Sequence, residues 1–185
     1  LHNLNARIHQ LNDMVNHHAV RDSLTNVYNR RYSLVILQNE FNRAVAQKKT
    51  LSCILMDIDH LESINNHYGY YIGDRILTNV SRCLLKHIKS SDIVSRFGDD
   101  EFLIMLPEIN KEAATRLSGL LVNEVEKCSV KDEEKNVNID FRVTAGTSSI
   151  AATTKNITDL IEQASNALYA AKAAKKDAHK RTTRR

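Results

Sequence analysis

The chain has 185 residues and a mass of 21.0 kDa, with 42% hydrophobic and 26% charged residues; this length buries roughly 70% of its unfolded surface in one core, so it needs neither metal nor disulfide to fold. Five Gly, one Pro, no Trp and 5% aromatics exclude a collagenous or low-complexity chain and argue against an aromatic nucleic-acid platform. The formal charge of +4 belongs to one end: residues 171–185 hold seven basic side chains and one acidic, and the other 170 residues carry a net −2, so the basic tail is a frayed terminus or the start of a linker rather than a general polyanion surface.

In chain order, Leu1, Leu4, Ile8, Leu11, Val15 and His18 recur at alternating spacings of three and four. That seam fits one amphipathic helix packed on its own domain, or a parallel coiled-coil stalk carrying a signal from an upstream domain. Residues 22–31, DSLTNVYNRR, break the period and read as a connector. A helix is expected from about Arg30 to Gln47 with Leu34, Leu37, Phe41 and Val45 inward, then a buried strand from Leu51 to Met56 that ends in Asp57. The next helix runs from Tyr71 or Gly73 to Ile88, with Ile76, Leu77, Val80, Leu84 and Leu85 apolar.

Residues 92–96 and 102–106 form a hairpin around a tight polar segment. A helix follows over 110–128, burying Ala113, Leu117, Leu120, Leu121 and Val125, then a charged surface loop over 129–136 and a half-buried strand over 137–145. Asn156 with Asp159 forms a variant capping box before a last helix through about Lys175. Strands mixed with helices on one face give an α+β sandwich. Cys53, Cys83 and Cys128 are odd in number and lack ligand spacing, which fits buried free thiols in a reducing, cytoplasmic setting. No apolar run approaches the ~20 residues of a membrane span, and no membrane partner is expected for this piece. Its start without Met leaves a membrane-anchored parent open.

Asp57 and Asp59, two apart on an extended chain, share one side of it. Asp99, Asp100 and Glu101 sit in the hairpin, and neither acidic segment contains a Lys or Arg within the cluster. If the hairpin lies beside the strand, the carboxylates converge and call for a cation. Hard oxygen ligands of this kind suit Mg²⁺. The plainer alternative is a pair of solvated acidic turns.

The run Arg96-Phe97-Gly98-Asp99-Asp100-Glu101-Phe102 resembles the signature hairpin of the GGDEF family, the diguanylate cyclases, in a GDDEF variant. DSLTNVYNRR resembles that family's opening motif, and Asp57-Ile58-Asp59-His60 its metal-binding strand end. Asn65 to Gly69 with Gly73 and Asp74 resemble its nucleotide-binding region, and ASNALYAAK over 164–172 its final helix. The resemblance covers 22 to about 177, with a signalling helix over 1–21, the domain over 22–178 and a basic tail over 179–185.

The resemblance implies a palm-like α+β fold, a central five-stranded mixed sheet surrounded by helices. Two such domains, each holding one GTP, would face one another as at least a transient homodimer, under an upstream sensory domain and without a nucleic-acid partner. Asp57, Asp100 and the Ile58 backbone carbonyl would ligate Mg²⁺ or Mn²⁺, with Glu101 assisting catalysis. Asn65 and Asp74 would bind guanine, and Lys172 and Lys176 the β- and γ-phosphates. An Arg-x-x-Asp product-inhibition motif is represented by Lys89 and Asp92, whose simpler reading is a helix end and a strand start.

Departures from the pattern cluster around GTP. Asp99 replaces the second Gly of the Gly98 turn, and Glu62 a phosphate-contacting Lys. Lys175-Lys176-Asp177 replaces Gly-Arg-Asn, Tyr70 a His, and Gly146-Thr147-Ser148 a Ser-hydrophobic-Gly run. Two functions follow: a diguanylate cyclase, weakened or not, or a degenerate domain that binds GTP or a protein partner and regulates something else.

Overall fold

The computed structural model describes residues 20–182, with side chains through 177. The heptad seam of 1–18, residues 183–185 of the basic tail and the side chains of the rest of that tail lie outside the described residues. Seven strands and five helices follow in order: β1 (Tyr28–Asn29), α1 (Arg30–Gln47), β2 (Leu51–Asp59), α2 (Leu61–Tyr68), α3 (Tyr70–His87), β3 (Ile93–Arg96), β4 (Glu101–Pro107), α4 (Lys111–Glu126), β5 (Ser129–Asp132), β6 (Val137–Asp140), β7 (Arg142–Ser149) and α5 (Ile157–Thr182).

The main sheet has five strands in the order β1-β3-β4-β2-β7, with β1 parallel to β3 and the other pairs antiparallel. It is therefore a mixed sheet with β2 and β4 deep inside. β2 is buried along nearly its whole length, and period two divides its side chains between two cores. Ile54, Met56 and Ile58 meet Ile76, Val80 and Leu84 of α3 and Leu121 and Val125 of α4. Leu51, Cys53 and Leu55 meet Leu37 and Phe41 of α1 and Leu160, Ala164 and Leu168 of α5. Helices thus cover both faces, not one, because β2 is apolar on both sides.

The α5 helix lies very close to β7. A Cβ at Gly146 would stand 2.1 Å from the Leu168 nitrogen and 2.3 Å from the Ala164 carbonyl oxygen, so only Gly fits there. That contact accounts for Gly146 in the Gly-Thr-Ser departure.

Other boundaries move for local reasons. The first core strand runs to Asp59 because hydrogen bonds to β7 continue through Asp59↔Arg142, which puts the two aspartates inside the strand rather than after it. Residues 129–132 are not a loop but β5, paired with β6. The expected strand over 137–145 is two strands parted at Phe141: β6 belongs to this hairpin, and β7 to the main sheet. Val45, Leu85, Leu120 and Val137 are exposed; Ala44, Cys83 and Ser118 take inward places instead. Cys128 is only half-buried, unlike Cys53 and Cys83. The Asn156 side chain caps α5 by accepting from the Asp159 N–H at 2.9 Å, while the Asp159 carboxylate reaches back to the Lys155 N–H at 2.7 Å.

Candidate active site

The pairing of β2 with its neighbours aligns the acidic segments. Asp57 stands opposite Glu101 of β4 on one side and Thr144 of β7 on the other, and all three face α5. The Ile58 N–H donates to the Asp100 carbonyl at 3.1 Å, which fixes the hairpin turn against the strand end. The turn closes through the Phe97 N–H to the Glu101 carbonyl at 2.7 Å and is clamped by Arg96, whose Nη2 donates to the Asp99 carbonyl at 2.8 Å. Arg96 also reaches Asp22 at 3.4 Å. The connector 22–31 is therefore a structural brace: Asp22 accepts from the Thr25 N–H and hydroxyl. Burial pushes the Asp22 carboxyl up, but Thr25 and Arg96 outweigh it and hold the group below its usual range.

Four acidic side chains, Asp57, Asp59, Asp100 and Glu101, interact here. Burial pushes the Asp57 carboxyl above its usual range; Lys172 opposes the shift, and Asp100 and Asp59 add to it. Glu101 is raised in the same way, first by burial and then by the charges of Asp57 and Asp100. The positive charge absent from both acidic segments arrives from α5, whose Lys175 is 116 residues beyond Asp59 in sequence. Lys172 Nζ lies 2.6 Å from Asp57 Oδ1 as an ion pair on a buried oxygen. Lys175 Nζ donates to Asp59 Oδ2 at 3.3 Å, and Thr144 Oγ1 bonds both oxygens of Asp59 at 2.7 and 2.8 Å.

Among the described residues no three His, Cys, Asp or Glu side chains are gathered to hold a metal unaided. Mg²⁺ ordinarily takes only one or two carboxylates, the remainder being water and substrate phosphate. The buried Asp57 carboxylate, crowded by Asp100 and Asp59 and paired with Lys172, fits that requirement.

Beside the carboxylates lies a cavity of about 250 Å³ lined by Asp59, His60, Thr144, Lys172, Lys175 and Lys176. It continues into one of about 680 Å³ toward Ile64, Phe141 and Arg142. His60, in the left-handed region at φ 60°, turns the chain into α2 without a side-chain cap, so the first N–H groups of that helix stay available to an anion. Lys176 also lines this cavity. Sequence reasoning missed His60, Thr144 and the carboxylate contacts of Lys175; the Lys-x-x-Lys spacing on one helix face was the available signal.

Asn65 and Gly73 also come together, at the junction of α2 and α3. A Cβ at Gly73 would stand 1.9 Å from Asn65 Oδ1, so this glycine makes room for the amide. Asn65 Oδ1 is buried and accepts no hydrogen bond. Asp74, next in the chain, is exposed. An unsatisfied acceptor with a carboxylate nearby suits a ligand edge rich in N–H donors.

Asp99 does not have a positive φ, so it carries no backbone strain; its change from Gly adds a side chain and a charge only. Asp92 accepts from the Lys89 N–H at 2.9 Å and closes a local turn between α3 and β3, and the Lys89 side chain is exposed.

A central mixed sheet with helices on both faces, bearing carboxylates where its inner strand β2 ends and β4 begins, defines a palm-type α+β domain. The family model for "Diguanylate cyclase, GGDEF domain" matches residues 19–178, and the chain belongs to that family. It is 31% identical over 154 residues to the probable diguanylate cyclase DgcT of Escherichia coli K12, covering 83% of this chain and 34% of that one. Its fold is similar to the active GGEEF domain of a diguanylate cyclase from Vibrio cholerae (TM-score 0.72, 29% identity, 79% of this chain and 91% of that one). It also resembles the coiled coil and GGDEF domain of DgcB from Caulobacter crescentus, solved with c-di-GMP (TM-score 0.85, 22% identity, 91% and 88% covered). The chain spans between about a quarter and two fifths of the length of the curated relatives it matches. Among the described residues no helix is long and apolar enough to cross a membrane.

Proposed function

We propose that this domain is a diguanylate cyclase, condensing two GTP into cyclic di-GMP and two pyrophosphates. The observation that carries the reading is the Asp57–Glu101 pair, with Asp100 bonded to the same strand end, next to a cavity holding three lysines. Asp57, Asp100 and the Ile58 carbonyl, with Glu101 alongside, would hold Mg²⁺ or Mn²⁺, which when bound neutralises triphosphate charge and polarises the reacting oxygens. Lys172 leaves Asp57 for the β- and γ-phosphates, where Lys176 and the free N–H groups of α2 also bind. Asn65 Oδ1 accepts from the guanine amino group, and Asp74 accepts from the ring N–H and the amino group, a donor pair that adenine lacks.

One site holds one GTP, so each 3′-hydroxyl oxygen must bond to the α-phosphorus of a GTP held by a second copy. Pyrophosphate departs and the hydroxyl proton is lost to solvent. The active species is therefore a homodimer, formed at least transiently. In the parent protein an upstream sensory domain would govern that encounter through the helix of residues 1–21, with the cyclase domain over 22–178, the tail over 179–185 and GTP drawn from the cytoplasm. The second reading, a degenerate domain that binds GTP or a partner without turnover, is favoured by Asp99 and Glu62 beside the site and by Lys172 already paired with Asp57. Incubating the purified protein with Mg²⁺ and GTP, followed by chromatography, separates the two. Cyclic di-GMP with pyrophosphate supports the cyclase; bound but unconverted GTP supports the second reading.

A further inference from the structure

Among the described side chains of α5, the last that is buried is Leu168. From Tyr169 to Asp177 every side chain is half-buried or exposed, so apolar packing does not hold this stretch against the sheet. Among the described contacts, two lysines hold it. Lys172 pairs with Asp57, and Lys175 reaches three acceptors: the Val143 carbonyl at 2.6 Å, Asp59 Oδ2 at 3.3 Å and Glu126 Oε1 at 3.5 Å. An ammonium has three N–H donors, and these partners can use all of them. The network is braced on both sides. Glu126 Oε1 also accepts from the Val143 N–H at 3.4 Å, and Asp59 is held by both bonds from Thr144. One lysine thus ties α5 to β2, β7 and the end of α4.

The two lysines differ in what they are free to do. Under the function proposed above, on which this inference rests, Lys172 exchanges Asp57 for phosphate when GTP binds. The helix end then keeps only one tether. The geometry points to Lys175 as the positioning residue for triphosphate binding: it holds the end of α5 on the strand termini while Lys172 changes partner, and so presents Lys172 and Lys176, three residues before it and one after, to the phosphates. It stands where the family pattern has Gly, a residue with no side chain to make this tether.

The test uses Lys175→Met and Lys175→Arg in the full chain, read by amide hydrogen exchange over residues 170–177 without nucleotide, by calorimetric GTP affinity and by turnover. Lys175→Met should raise exchange at the helix end about tenfold and weaken GTP about tenfold, with kcat at saturating GTP within about twofold of wild type and the thermal midpoint essentially unmoved. Lys175→Arg, which keeps the charge and enough donors, should restore most of both. Exchange in Lys175→Met as slow as in wild type overturns the tether. A frayed helix end with unchanged GTP affinity overturns its link to the phosphate site, as does a loss of kcat equal to the loss of affinity. If wild type binds no GTP, the cyclase reading fails instead, and the exchange measurement still decides the tether.

Discussion

The two faces of β2 are made by one nine-residue stretch and do opposite things. On the face toward α3 and α4, Ile54, Met56 and Ile58 are apolar to the end of the strand and fully enclosed. On the face toward α5, Cys53 and Leu55 give way to Asp57 and Asp59 over the last four residues. From Ile54 onward the first face is uniformly apolar and its side chains serve packing alone. The second carries Asp57, whose protonation is favoured by burial and then by the charges of Asp100 and Asp59, and lysines from a distant helix pair with both of its aspartates. A site of this kind is stabilised by the fold around it rather than stabilising that fold.

Substitutions on the two faces should therefore separate activity from stability. Asp100→Ala is the largest expected effect on function. Without an oxygen at that position the cation is not held, and cyclic di-GMP production should fall by about a thousandfold or more; ordinary turnover in this variant would remove Asp100 from the mechanism. Asp57→Asn should also abolish turnover, yet raise the thermal midpoint, because the neutral amide escapes first the cost of burying a charge and then the repulsion from Asp100 and Asp59. A lower midpoint would mean that the Lys172 pair outweighs that repulsion. On the opposite face, Ile54→Ala should cost about 2–5 kcal/mol in denaturant unfolding through the cavity it leaves, with KM for GTP unchanged at temperatures where the protein stays folded.

How much of this was legible in the sequence follows the same division. The apolar runs of β2 and β4 and the three-four spacing of α3 announce the first face directly, because enclosure on both sides needs uninterrupted hydrophobicity. The acidic segments and the resemblance marked the site's negative half. Its positive half was less legible: Lys172 was assigned to phosphate, but nothing local in Lys172 or Lys175 shows that α5 returns over Asp57 and Asp59. The β5–β6 hairpin was hidden for another reason. Its residues Lys131, Glu133, Glu134, Lys135 and Asn136 are polar because most of that ribbon is exposed, and only Val130, Asp132 and Ile139 turn inward. The break at Phe141 has no sequence signal at all, since the hydrophobic alternation of 137–143 passes through it unaltered.

Smaller effects sharpen the comparison at the rim. Asp99→Gly removes a charge without relieving backbone strain, so GTP affinity should rise only several-fold, and Glu62→Lys should act in the same direction and nearly additively unless the two side chains touch. Unchanged affinity in both would show that the rim charges do not limit binding. Lowering the pH tests the brace between the hairpin and residues 22–31. Asp22 is depressed in the folded state, so its contribution is complete above the ordinary carboxylate pKa and is lost as pH falls through the lower folded value. Asp22→Asn should therefore flatten the acid limb of the stability profile; an identical limb would exclude that linkage. Least affected should be feedback. With the Asp92 carboxylate closing its own turn and Lys89 exposed, calorimetry should find only weak binding of cyclic di-GMP at this position, and micromolar binding lost in Asp92→Ala would overturn that.

The central claim is that the α5 face of the β2 end, together with the Asn65 and Asp74 junction, is a guanine nucleotide site. Calorimetric titration of the wild-type protein with GTP and with ATP, each with Mg²⁺, tests it most directly. GTP should bind at least about tenfold more tightly than ATP, and that preference should shrink in Asn65→Ala and Asp74→Ala, because each buried or charged acceptor discriminates through the N–H groups it satisfies. Equal affinity for the two nucleotides, or a preference untouched by both substitutions, would contradict it.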